Sequence, residues 1–180
     1  MRAFIAALIP EEVKLEIKRY IMDMKPHWEG VKWEGYEKLH LTLKFLGEVE
    51  EAKIEEIKIA LMESVRAYSP FRTAISRFGG FPSLKNPRVL FIGLSENYEL
   101  LRFQHEIEER LEPIGFKKEA RTFVSHVTIG RVKGRARSKG SFPIPRNTSF
   151  SITEIALIRS VLHPEGSRYT PISVFRLTAY

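Results

Sequence analysis

The sequence predicts an α+β fold of two similar lobes, and three observations carry that prediction. Apolar segments with strand patterning alternate with two-faced helical segments along all 180 residues. The order strand, helix, strand occurs once in each half, and each time the second strand carries His-x-Thr: His40-Leu41-Thr42-Leu43 first, then His126-Val127-Thr128-Ile129. No Ser/Gly-rich linker separates the halves. Residues 1–180 are therefore expected to form one unit, with a cleft where the pseudo-symmetric lobes meet, a common place for a ligand.

The elements follow in order. RAFIAALI (residues 2–9) reads as a buried strand. Pro10 suits the first position of a helix over EEVKLEIKRYIMDM, and Glu11 and Glu12 suit its positive end. Val13, Ile17, Tyr20, Ile21 and Met24 recur there at helical spacing, and Pro26 stops it. VKWEGYEKLHLTLKFLGEV supplies one or two strands, and EAKIEEIKIALMESVRAY a second amphipathic helix. FRTAISRFGGFPS reads as a strand ending at the Gly-Gly and Pro82. The order then begins again: RVLFIGL as a strand, ENYELLRFQHEIEERLEPIG as a helix, TFVSHVTIGRV as a strand. KGRARSKGSFPIPRN reads as a basic loop, after which SFSITEIALIRSVL and SVFRLTAY complete the sheets.

Composition removes several classes of function. With no cysteine there is no disulfide, no thiolate zinc site and no cysteine nucleophile. No apolar run approaches the roughly 20 residues of a membrane-spanning helix. MRAFIAALIP is short and lacks a small-residue cleavage site, so it reads as a first strand and not a signal peptide; the expected compartment is the cytoplasm, with no membrane partner. Lys and Arg number 29 against 22 acidic residues, a formal charge of +7 that suits a polyanionic partner and equally suits mere solubility.

The paired motifs carry the chemistry. Residues two apart in a strand share a face, so His40 lies with Thr42 and His126 with Thr128, while Leu41, Leu43, Val127 and Ile129 anchor the opposite faces. If a pseudo-twofold axis relates the lobes, both pairs point into one cleft. Two imidazoles across a phosphate can divide the work, one taking a proton from water and the other giving one to the leaving oxygen. Threonine hydroxyls can hold the non-bridging oxygens. A single His-x-Thr is ordinarily a surface or satisfied core pair; two copies at matching places in a repeated topology are not. Neither strand offers a third metal ligand at convincing spacing. His27, His105 and His163 sit in a probable loop, a helix and a probable loop, and no catalytic role is assigned to them.

EKLHLTLKFLGEV and SHVTIGRV resemble the paired motifs of the two-histidine phosphoesterases, and most of all those of the LigT-like RNA 2′,3′-cyclic phosphodiesterases, historically called 2′-5′ RNA ligases. GGFPSLKNPRVLFIGL and IALIRSVLHPEGSRYTPI resemble the family's central and closing segments, so the likeness spans nearly the whole chain. Ile129 stands where leucine is usual, a change that removes no functional group. The resemblance implies two lobes, each a mostly antiparallel sheet with helices on its outer side. It implies metal-independent, cofactor-free hydrolysis of RNA ending in a 2′,3′-cyclic phosphate, leaving a 2′-phosphomonoester. His40 would be the proton donor, His126 the proton acceptor, and Thr42 and Thr128 would bind the phosphate. By microscopic reversibility the same pair could join a cyclic end to another terminus. The implied partner is RNA with a cyclic end, tRNA fragments among the candidates, acted on by a monomer. The motifs specify only a phosphate, so small cyclic nucleotides and 2′-5′-linked oligonucleotides are the alternative substrates, and a non-catalytic RNA-binding module is the rival from another class.

Three further assignments depend on geometry. Arg131 stands where the family places a phosphate-binding arginine, but strict alternation puts it on the face opposite His126. A phosphate role needs the strand to end or bulge near Gly130; otherwise Arg131 is a surface residue. Phe45 raises the same parity question: core packing is favoured over stacking on a nucleobase as a substrate-binding residue. Lys133, Arg135, Arg137 and Lys139 suit either an RNA backbone or a solvated, mobile loop.

Overall fold

Alternating apolar residues make Arg2–Leu8 (β1) a strand buried on both faces: Ala3, Ile5 and Ala7 join the main core, while Phe4 and Ala6 pack with Ala156 and Ile158 in a smaller cluster. The chain then enters the helix Glu11–Met24 (α1), burying Val13, Ile17, Tyr20, Ile21 and Met24 as the spacing requires. Pro10 caps this helix instead of opening it, its carbonyl accepting from the Val13 and Lys14 amides at 3.0 Å each. Pro26 sits in a 3-10 turn that ends it. In this computed structural model, which describes residues 1–179, the later elements are Trp28–Trp33 (β2), His40–Glu48 (β3), Ile54–Val65 (α2), Phe71–Phe81 (β4) and Val89–Leu94 (β5). They are followed by Tyr98–Leu111 (α3), His126–Ser138 (β6), Ser149–Ile152 (β7), Glu154–Val161 (β8) and Arg168–Arg176 (β9).

β4 runs through Gly79 and Gly80 and ends at Phe81, just before Pro82, because β5 pairs with it along that whole stretch. Three boundaries differ from the sequence reading. β6 starts at His126, not at Thr122, and continues through the basic segment to Ser138. Lys133, Arg135 and Arg137 are therefore strand residues and not a loop; Arg137 pairs with Glu29 of β2, and Lys139 bonds Glu29 at 2.9 Å. β9 begins earlier than expected, at Arg168, and Tyr180 lies outside the described residues.

The strands form two antiparallel sheets, in the orders β3-β1-β8-β9 and β2-β6-β5-β4-β7. Setting β2 aside, the second order repeats the first: a motif strand, then the strand that opens its half, then two more. β3 and β6 meet where the sheets adjoin. The helices pack on the faces away from the motifs and tie the halves together. α1 follows β1 yet lays Tyr20 against Phe78 of β4, 6.2 Å between rings, while α3 follows β5 yet bonds the Leu43 carbonyl of β3 through Gln104 at 3.2 Å. Both sheets and all three helices contribute to one continuous apolar cluster. No helix among the described residues is long and apolar enough to cross a membrane.

Candidate active site

The strand period places His40 and Thr42 on one face of β3, and His126 and Thr128 on one face of β6, with Leu41, Leu43, Val127 and Ile129 fully buried behind them. Each imidazole is fixed in the same way. His40 Nδ1–H donates to the Lys38 carbonyl and His126 Nδ1–H to the Val124 carbonyl, both at 2.6 Å. That bond selects the tautomer and leaves Nε2 as the working nitrogen of each ring. Aromatic walls flank both. His40 lies 4.8 Å from Phe4 and 5.5 Å from Tyr169, and His126 lies 4.9 Å from Phe81 and 5.3 Å from Phe91, centroid to centroid. The halves differ at Nε2: His40 meets Thr42 Oγ1 at 2.9 Å, whereas His126 Nε2 has no hydrogen-bond partner among the described residues.

Matching bulges resolve the parity of Arg131 and Phe45. Along β3, Lys44 faces Ile5 but Thr42 faces Ala6, so Leu43 is the extra residue; along β6, Gly130 faces Leu90 but Thr128 faces Phe91, so Ile129 is the extra one. Beyond each bulge the alternation flips. Arg131 thus comes to the His126 face, and Phe45, at the equivalent place in the first half, to the His40 face. Phe45 is 73% exposed and 6.1 Å from Phe4, so the core packing favoured from sequence is wrong. The residue turned inward in its place is Lys44, whose ammonium pairs with Glu108 of α3 and donates to the Lys117 carbonyl at 2.8 Å. Glu108 also accepts from Gln104 at 3.1 Å and from the Glu119 amide at 3.2 Å, so the buried charges are fully partnered. Gly130 holds the corresponding inward position in β6, where a Cβ would come within 2.7 Å of Val31.

β2, only half legible in the sequence, supports Arg131. Its pairing with β6 ends at Trp33, and the next residue, Glu34, bonds Arg131 Nε at 3.1 Å. The electrostatics follow from these placements. Burial among the aromatic walls is the main cause holding the His40 pKa below its ordinary value; the charges of Arg131, His126 and Lys14 add to it, against the Lys38 carbonyl bond. His126 is also held low, first by burial, then by the charges of Arg77 and Arg131, against the Val124 carbonyl bond. Arg131 lies near enough to act on both imidazoles and His126 near enough to act on His40, as expected where β3 and β6 adjoin. Burial raises the Tyr169 phenol, which stays protonated near neutral pH.

Sequence reasoning missed Phe4, Arg77, Phe81, Phe91 and Tyr169. The available signal was the glycines at 79, 80 and 93, since glycine inside a strand marks a close approach. His105 lies exposed on α3 beside Glu109, His27 ends the 3-10 turn after α1, and His163 follows β8; none joins the motifs. Among the described residues no group of three or more His, Asp or Glu side chains could hold a metal ion.

The LigT-like phosphoesterase family model matches residues 8–91. Over 98% of its length the chain is 34% identical to an RNA 2′,3′-cyclic phosphodiesterase of Methanothermobacter thermautotrophicus, covering 99% of that protein. It is 38% identical to one of Methanocaldococcus jannaschii, covering 96% of this chain and 98% of the relative. Among solved structures it superposes on TT0787 of Thermus thermophilus with TM-score 0.86 and 29% identity, and on E. coli LigT complexed with 3′-AMP with TM-score 0.81 and 25% identity, each over 98% of both chains.

Proposed function

The chain belongs to the LigT-like phosphoesterases, and from that premise we propose that it hydrolyses RNA 2′,3′-cyclic phosphate ends to 2′-phosphomonoesters by two-histidine acid–base catalysis. One observation carries the reading: two imidazoles on facing strands, each with Nδ1–H locked at 2.6 Å on the carbonyl two residues back, so that both Nε2 atoms serve one space. His126 Nε2 takes a proton from water as the water oxygen bonds to phosphorus. The bond from phosphorus to O3′ breaks, and His40 Nε2–H gives its proton to O3′. Thr42 and Thr128 hold the non-bridging oxygens, and Arg131 offsets the charge that builds on them. The partner-free lone pair of His126 supports its role as base, and the aromatic walls support a water-poor site in which these interactions gain strength. Phe45, exposed on the same face, serves as a platform for the base.

Both motifs come from one chain, which supports action as a monomer, and the +7 charge suits an RNA partner; cytoplasmic tRNA fragments are the proposed source of such ends. The test is a short RNA with a 2′,3′-cyclic end, incubated with the protein in EDTA. Phosphorus NMR should show a 2′-monoester accumulating at an undiminished rate. A 3′-monoester, or a rate lost to chelation and restored by zinc or manganese, would overturn the assignment.

A further inference from the structure

Directly opposed residues on antiparallel strands share a face, so the pairing across the second sheet can be read row by row. His126 faces Gly93, and Gly93 faces Arg77; in the next row Thr128 faces Phe91, and Phe91 faces Gly79. A third register shift, between Ile75 and Arg77, turns Arg77 to the motif face. The two glycines then leave room for its side chain to lie across the sheet toward His126. A Cβ at Gly93 would stand 2.7 Å from Arg77 Cγ and 3.0 Å from its Nε; one at Gly79 would stand 2.4 Å from Phe91 Cζ and 2.7 Å from Arg77 Nη1. The guanidinium stacks over Phe91, 5.0 Å from its centroid, on the strand next to His126 and Thr128.

Arg131 is held by Glu34, but Arg77 enters no salt bridge and no side-chain hydrogen bond among the described residues. Its charge nonetheless bears on His126 more than that of Arg131 does. On the His40 side, Leu8 stands where Gly93 faces His126. An oriented, unpaired guanidinium beside two phosphate-directed side chains is an anion ligand awaiting its anion. We propose that Arg77 is a second phosphate-binding arginine of this site, contacting the reacting phosphate from the His126 side.

This rests on the function proposed above, and the experiment separates the two. The substrate is a nucleoside 2′,3′-cyclic phosphate, whose only phosphate is the reacting one. Arg77→Ala should lower kcat/KM about 10- to 100-fold, the cost of a charge-assisted hydrogen bond, and Arg77→Lys should recover only part of it. Gly93→Ala pushes the intact arginine aside and should cause a similar loss in the wild-type background but little further loss in Arg77→Ala. By calorimetry, Arg77→Ala should weaken binding of adenosine 2′-phosphate and leave adenosine unaffected. A wild-type protein that turns over neither the cyclic nucleotide nor a short RNA with a 2′,3′-cyclic end refutes the function. An active wild type with an equally active Arg77→Ala refutes the inference, as does a loss confined to longer RNAs, which would put the guanidinium on a neighbouring phosphate.

Discussion

The depressed histidines fix the pH dependence of kcat/KM. With the proposed roles, the free enzyme that meets substrate carries a protonated His40 and a neutral His126 at once. Were both imidazoles at the ordinary pKa of about 6.5, the correctly protonated fraction would be about 25% at pH 6.5, about 8% at pH 7.5 and about 1% at pH 8.5. Burial and the surrounding cations hold both below that value, so the maximum, midway between the two, lies below pH 6.5. On the alkaline side loss of a proton from the pair gives a tenfold fall per pH unit; on the acid side uptake of a second proton gives the opposite limb. The cyclic phosphodiester stays anionic throughout and favours protonated imidazole, so the profile of kcat should lie at higher pH than that of kcat/KM. The two limbs belong to the coupled pair, not to one ring each. The assay is initial-rate kinetics on a nucleoside 2′,3′-cyclic phosphate from pH 4.5 to about 8.5 at constant ionic strength. A kcat/KM maximum above pH 7, or a profile flat between pH 6 and about 8, refutes the acid–base pair.

Two further outcomes follow from the same geometry. His40→Ala and His126→Ala should each lose on the order of 10² to 10⁴ in rate while remaining folded; with sulfur replacing O3′, a leaving group that needs little protonation, only His40→Ala should recover, and rescue of His126→Ala would exchange the roles. Phe45→Ala should leave stability unchanged, because the ring is 73% exposed, and should raise KM for a cyclic nucleotide about 5- to 100-fold by loss of one base stack; an unchanged KM would assign the ring to solvent.

Much of this site was legible in the residues. The strand period alone put His40 with Thr42 and His126 with Thr128, because that alternation is local and needs no partner strand. The helical face of α1 was equally plain, all five of its apolar-spaced residues being buried. Parity also posed the right condition for Arg131, a break near Gly130. It misjudged Phe45, because nothing in KLHLTLKFLG marks the bulge at Leu43 as glycine marks the one before Arg131.

What the sequence by itself determined, then, is the inventory: two repeated strand–helix–strand units, two histidine–threonine faces backed by buried aliphatic residues, and a chemistry that follows from those groups. What only the tertiary structure decided is register. A bulge exists only relative to the strand it is paired with, and it reverses every side chain beyond it, bringing Phe45, Arg77 and Arg131 to the motif faces and sending Lys44 inward to Glu108. The support of Arg131 by Glu34, and the row that joins His126 through Gly93 to Arg77, likewise arise from pairings between distant segments. Such contacts are set by which strands assemble side by side, and local periodicity carries no record of that choice.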